Sequence, residues 1–209
     1  MYSAIWILVG LSLGSLPFSY WVGRLFLRAD IRDYGDGNPG STNVLNAGGP
    51  VLFAIASLLD AFKAALPVYL AQSVSGISGW QLSLVAIAPL IGNTFTPFLR
   101  FHGGTGVAVA YGIWLGLTGW VGPVIIGLCF GLFFIFIRET PWCVIWGMLL
   151  FTGILLLMQY TISMAAVGVS HAAIMAYNRR NHFNHWPQMQ QWIIDRSVKN
   201  NQGPPFHTG

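Results

Sequence analysis

Two stretches of this sequence hold residues suited to chemistry that packing alone does not call for. The first is Asp33-Tyr34-Gly35-Asp36-Gly37-Asn38-Pro39-Gly40-Ser41-Thr42-Asn43. Its glycines permit positive φ and leave backbone N–H groups bare, while its Asn, Ser and Thr side chains supply hydrogen bonds. That combination cradles a phosphate or another oxyanion. A plain turn-rich loop shares the composition, but a loop of this length between two apolar segments is more often functional. The second is Phe101-His102-Gly103-Gly104-Thr105-Gly106-Val107, where glycines lead straight into the next apolar segment. Unpaired N–H groups and the positive end of a helix dipole make such a place an anion site, and Thr105 adds a hydroxyl. The competing reading is a tight contact between helices.

Two further sets are weaker. Asp60 and Lys63 lie three residues apart inside an apolar run. Charge there is expensive and is partnered or functional, so the pair is expected to neutralise itself and either to meet substrate or to support the first loop. The basic run Tyr177-Asn178-Arg179-Arg180-Asn181-His182-Phe183-Asn184-His185 reads as an anchor to anionic lipid or as charge beside an oxyanion pocket. His182 and His185 alone do not make a metal site. Cys129 and Cys143 have neither disulfide nor zinc spacing and read as packing residues.

The elements that must position these residues lie in lipid. Of 209 residues, 55% are hydrophobic and only 8% charged, and mean hydropathy is +0.62, which excludes an ordinary water-soluble domain. A crossing needs about 20 apolar residues. The sequence predicts an all-α helix bundle of about seven spans near 4–26, 50–71, 80–98, 104–118, 121–137, 141–158 and 162–176. Two of these are shorter than a full crossing. Residues 1–177 form a membrane domain, and 178–209 a polar tail in which Trp186, Met189, Trp192 and Ile193 recur at the spacing of a short interfacial helix. Alternate connections carry Arg28 and Arg32, Arg100, Arg138, and the basic tail, while the others carry no charge, so the first set is placed in the cytoplasm and the N-terminus outside. The first segment gains Arg24 and Arg28 after it rather than before it, the reverse of a cleavable signal. Gly10/Gly14, Gly112/Gly116 and Gly127/Gly131 have the spacing that lets helix backbones approach.

In order and spacing, these motifs resemble the bacterial acyl-phosphate:glycerol-3-phosphate acyltransferases along nearly the whole chain. That family's first motif, roughly Gly-Ser-Gly-Asn-x-Gly-x-Thr-Asn, is met by Gly35, Gly37, Asn38, Gly40, Thr42 and Asn43, with Asp36 at the serine. Its second, roughly Gly-His-x-x-Pro then Phe-x-Gly-Gly-Lys-Gly-Val-Ala, is met by Gly92, Pro97, Phe101, Gly103, Gly104, Gly106, Val107 and Ala108. Asn93 stands at the histidine and Thr105 at the lysine. Asn46 stands where an arginine meets phosphate, Thr140 is nearest a displaced serine, and the closing Arg/His/Asn motif is kept with its members exchanged.

The resemblance implies a multi-pass inner-membrane enzyme, active at its cytoplasmic face, that moves an acyl group from acyl phosphate to glycerol 3-phosphate or a related acceptor and gives lysophosphatidic acid. The candidate catalytic residues are Asp36, Asn38, Thr42 and Asn43. The candidate substrate-binding residues are Gly35, Gly37, Gly40, Asp60, Lys63, Gly103, Gly104, Thr105, Gly106, Arg138, Arg179, Arg180 and His182. Neither cofactor nor metal is expected, and the partners are the two substrates and membrane lipid, without nucleic acid. No Ser/His/Asp or Cys/His set is apparent, so positioning should dominate over covalent catalysis. The exchanged cations leave open a catalytically inactive or regulatory relative. A small-anion transporter ranks lower, because the polar groups gather at one face rather than near midplane.

Overall fold

The computed structural model describes residues 2–180, 183 and 187–190. Among them the regular structure is helical apart from an isolated bridge between Ile137 and Met189. Helix α1 (Tyr2–Gly14) and α2 (Phe18–Val22), the latter continued by a wide turn over Gly23–Leu27, make one broken rod. Then come α3 (Ser41–Ser73), α4 (Gly79–Thr94), α5 (Val107–Thr118), α6 (Val121–Phe136), α7 (Thr140–Leu157) and α8 (Ile162–Asn178). Seven rods result among the described residues. Four of them, Tyr2–Leu27, Ser41–Ser73, Gly79–Leu99 and Thr140–Leu157, are long and apolar enough to cross a membrane, while α5 and α6 are shorter. Leu8, Leu58, Phe62, Leu128 and Leu157 face outward, as side chains in contact with lipid must.

The interior is built around α5, whose Ile113 and Trp114 are fully enclosed. Trp114 meets Phe151 of α7 edge to face at 4.7 Å. Gly112 makes this burial possible: a Cβ there would run into the backbone carbonyl of Ala61, so α3 and α5 touch main chain to main chain. Gly10 and Gly14 let α1 lie against Ala88 and Pro89 of α4 in the same way. Gly127 and Gly131 do not share the role. Gly131 faces open space among the described residues and Gly127 meets only the Tyr111 hydroxyl, so that spacing is not a helix contact.

The segment 4–26 is not one continuous helix, because Pro17 has no N–H to give and cannot continue the ladder. The carbonyls freed at the break find donors elsewhere: the Lys63 ammonium donates to Leu16 O at 2.6 Å and the Thr96 hydroxyl to Ser15 O at 2.5 Å. Lys63 also pairs with Asp60 at 2.6 Å, whose other oxygen accepts from the Ser19 hydroxyl at 2.5 Å. The intramembrane pair is thus neutral and braces the break. The first glycine loop is also shorter than it reads. Ser41, Thr42 and Asn43 form the opening turn of α3, which kinks at Gly49 before Pro50.

The tail differs from its expected helix where it is described. Met189 lies in the bridge to Ile137, with Arg138 N–H donating to Gln188 O and Gln190 N–H to Phe136 O, both at 3.0 Å. Trp186, Trp192 and Ile193 lie outside the described residues.

Candidate active site

The two glycine-rich turns meet at one end of the bundle. Asn38 joins them, its Oδ1 accepting the Thr105 N–H at 3.1 Å. Gly104 lies against Gly40 and Asn38, so both turns line one space. Within the first turn the Asn43 carboxamide donates to Asp36 Oδ1 at 3.0 Å and to Asn38 O at 2.8 Å, and Asn46 in turn donates to Asn43 Oδ1 at 3.2 Å. In the second turn Gly106 caps α5 at φ +87°, a backbone that glycine adopts without strain. The end of α8 closes the third side. Asn178 donates to Gly104 O at 2.5 Å, and Arg179 donates through Nε to Thr105 Oγ1 at 2.5 Å and pairs with Asp36 at 2.6 Å.

These residues surround a cavity of about 80 Å³. Gly40, Ser41 and Thr42 face it from the start of α3, Gly106, Val107 and Ala108 from the start of α5, and Thr140 and Pro141 from the start of α7. Among the described residues no side chain caps any of these three helices. Three sets of uncapped N–H groups, with three positive dipole ends, therefore open toward one space, the setting in which an anion is held. Asp60 and Asn93 reach it from within the bundle, and Asn93 connects the layers by accepting from Lys63 at 3.0 Å and donating to Gly104 O at 3.0 Å. A second, wider cavity of about 460 Å³ lies alongside, lined by Arg32, His102, Asn178 and Arg180. Asp36, Asn38 and Arg179 form walls of both.

Asp36 is ionised here. Partial burial pushes its carboxyl up, but the Arg179 charge and the donors on Asn38, Arg179 and Asn43 outweigh this and hold it below the usual carboxylate range. Upstream in the same connection, Asp30 is brought down to about 2, chiefly by hydrogen bonding to Arg32.

Most of the residues singled out in the sequence come together, though in different ways. Asn38, Gly40, Thr42, Asp60, Gly104, Thr105, Gly106, Asp36 and Arg179 line the small cavity. Gly103 packs beneath it, its N–H on Thr94 O at 3.0 Å and no room beside it for a side chain, so at this position the tight-contact reading holds. Gly35 sits against the Asn43 and Asn46 side chains, and Gly37 lines the outer cavity. Lys63 turns away into the break of the first rod. Arg180 lines the outer cavity with its guanidinium over the Tyr177 ring at 4.5 Å. Arg138 is exposed and does not line either cavity among the described residues. His182 lies outside the described residues. Ser41, Asn93, Thr140 and Asn178, which lie within the quoted motifs but are not among the candidate site residues, also belong to the site. The motifs mark the positions of Asn93 and Asn178 but not their partners, because each bonds to a carbonyl of the second glycine turn, 11 and 74 residues away.

Fold and site together define a multi-pass integral membrane protein in which two glycine-rich turns and three helix starts surround one cavity at an end of the helical bundle. Within that class the chain belongs to the glycerol-3-phosphate acyltransferase family, whose model matches residues 4–188. It is similar to the glycerol-3-phosphate acyltransferase of Ralstonia nicotianae, with 44% identity over 113 residues that cover 53% of this chain and 55% of that protein. It is also similar to that of Aromatoleum aromaticum, with 42% identity over 115 residues, 55% of this chain and 58% of the other. The matched stretch thus spans a little over half the length of these relatives. Among solved structures, PlsY (YgiH), an integral membrane glycerol 3-phosphate acyltransferase, superimposes in its glycerol 3-phosphate form with a TM-score of 0.78 at 25% identity, covering 87% of this chain and 90% of that one. Its lysophosphatidic acid form gives 0.76 at 24% identity over the same shares.

Proposed function

We propose that this protein transfers an acyl group from acyl phosphate to glycerol 3-phosphate or a closely related acceptor, giving lysophosphatidic acid and inorganic phosphate. The observation that carries the reading is the convergence of two glycine turns and three uncapped helix starts on one cavity, in a chain of this family. Both substrates of such a reaction carry phosphate, and helix N-termini hold phosphate without needing a cation at every contact. Acyl phosphate is already activated, so no protein nucleophile is required. The acceptor hydroxyl oxygen attacks the acyl carbon, the bond from that carbon to the phosphate oxygen breaks, and the departing phosphate takes the hydroxyl proton. The site's contribution is to align the two substrates and to stabilise charge on the carbonyl oxygen with Asn38, Thr42 and the N–H groups at the starts of α3 and α5. Asn43 holds the first turn in shape. Asp36, ionised and bonded to Arg179, is a poor proton acceptor, and we assign it to orientation rather than to proton transfer.

Orientation follows from charge. Arg24, Arg28, Arg32, Arg100, Arg179 and Arg180 gather in the connections at the site's end, whereas residues 74–78, 119–120 and 158–161 carry no charge. This supports a site facing the cytoplasm from the inner membrane, with residues 1–177 in the bilayer and 178–209 as a cytoplasmic tail. The test is to incubate detergent-purified protein with palmitoyl phosphate and glycerol 3-phosphate. Stoichiometric release of lysophosphatidic acid and inorganic phosphate is expected. Acyl phosphate left intact after prolonged incubation, in folded protein supplied with lipid, would overturn the reading.

A further inference from the structure

Arg179 is the one basic side chain that lines the small cavity among the described residues, and it does not stand alone there. Its guanidinium ties the two turns together, Nε on Thr105 Oγ1 at 2.5 Å and a terminal nitrogen on Asp36 at 2.6 Å. Where the resembling family has serine and lysine, this chain has Asp36 and Thr105. The second turn carries no cation of its own, and the positive charge beside it comes from the end of α8, 74 residues further along, accompanied by a carboxylate. That carboxylate accepts the Asn38 N–H at 3.1 Å, the Asn43 carboxamide at 3.0 Å and the Arg179 guanidinium. These donors, a loop N–H, an amide and a cation, are those a phosphate oxygen would seek in the same turn.

We infer that Asp36 is a specificity-determining residue acting through Arg179: it is a built-in anion that competes with the substrate phosphate for the cavity's cation. The inference rests on the acyl-transfer reading and deepens it. A phosphate entering the cavity must draw Arg179 away from Asp36 or bind beside the pair, so the site holds phosphate less tightly than its helix termini and arginine would otherwise allow. Doubly charged acceptors are weakened most, and the site favours acceptors of lower charge relative to a cavity with an unpaired cation. Asp36 does not touch the reacting atoms. Its influence is on binding, not on the chemical step.

The decisive substitutions are Asp36→Ser, which gives the family residue, and Asp36→Asn, which keeps an acceptor for Asn38 and Asn43 while removing the charge. Binding of inorganic phosphate and of glycerol 3-phosphate to detergent-solubilised protein is measured by calorimetry, beside steady-state acyl transfer. Both variants are expected to bind either anion about tenfold more tightly than the native chain, with KM for glycerol 3-phosphate lowered to match. Arg179→Met should abolish the gain when added to Asp36→Asn. A merely structural Asp36 would instead lower kcat and thermal stability without tightening anion binding. Unchanged or weaker phosphate binding in Asp36→Asn, with acyl transfer intact, overturns this inference and leaves the acyltransferase reading standing. Tighter phosphate binding in a protein that never consumes acyl phosphate supports the inference and overturns that reading.

Discussion

Asn38 shows how few atoms hold the site together. Its side-chain oxygen accepts the Thr105 N–H, its own N–H is held by Asp36, and its carbonyl takes the Asn43 amide. Asn38→Ala therefore leaves the two turns without their direct link and removes a group that the proposed reaction places at the acyl carbonyl. A fall in kcat/KM of about 10- to 100-fold is expected, from the loss of about 1.5–3 kcal/mol of hydrogen bonding to charge. Thr42→Ala, which removes a hydroxyl from the start of α3, should reduce it in the same direction but less. Initial rates with palmitoyl phosphate check both, and undiminished activity in both variants would remove these residues from the site. Such residues were legible in the sequence because short polar side chains interleaved with glycine have no packing reason to be there. The tie from Arg179 to Asp36 and Thr105 was not: it joins positions whose proximity depends on the whole bundle, and each alone reads as an ordinary departure from a motif. The bonds of Asn178 and Asn93 to Gly104 were not legible for the same reason.

At the scale of elements, the first rod is held by groups from two others. Lys63 pairs with Asp60, caps the broken turn at Leu16 and reaches Asn93, which bonds to the second glycine turn. Lys63→Met would leave Asp60 as an uncompensated charge inside the bundle and should cost roughly 3–5 kcal/mol, measured as a lowered Tm in detergent. Restoring neutrality with Asp60→Asn in the same chain should recover part of it. The glycine contacts make a paired prediction. Gly112→Ala drives a methyl group into the Ala61 carbonyl and should cost about 1–3 kcal/mol, while Gly131→Ala enters open space and should stay within about 0.5 kcal/mol. The connection after α2 supplies a pH effect. The Asp30 carboxyl titrates at about 2 in the fold against 3.8 for the unperturbed group, so its contribution is fully present above about pH 4 and lost as pH falls toward 2. Thermal unfolding across that window should weaken with acid, and Asp30→Asn should flatten the dependence. The helices themselves were legible because lipid demands long apolar runs. The break at Pro17 was not, since the groups that make it tolerable lie 47 and 81 residues away along the chain.

For the whole molecule, the property that matters is collective. The starts of α3, α5 and α7 each lack a side-chain cap among the described residues, and each alone would be unremarkable. Packed as they are, they turn toward one cavity beside the end of α8 and give it a positive field that no single motif encodes. The charge pattern of the connections was open to reading in advance because it is a sum over short segments, but the meeting of three helix ends is a consequence of crossing geometry. The proposed binding and catalysis at this cavity depend on the first and second glycine turns lying face to face. Gly40→Cys combined with Gly104→Cys tests this most directly, since a Cβ at Gly104 falls 3.8 Å from the Gly40 Cα and a disulfide is sterically within reach. The two native cysteines are both buried and leave the background clean. Mild oxidation of the solubilised double variant should cross-link the two introduced thiols, a product identified by mass spectrometry of the joined peptides and formed more slowly with glycerol 3-phosphate or inorganic phosphate present. Two thiols that stay free under conditions that oxidise a control pair would contradict the face-to-face arrangement.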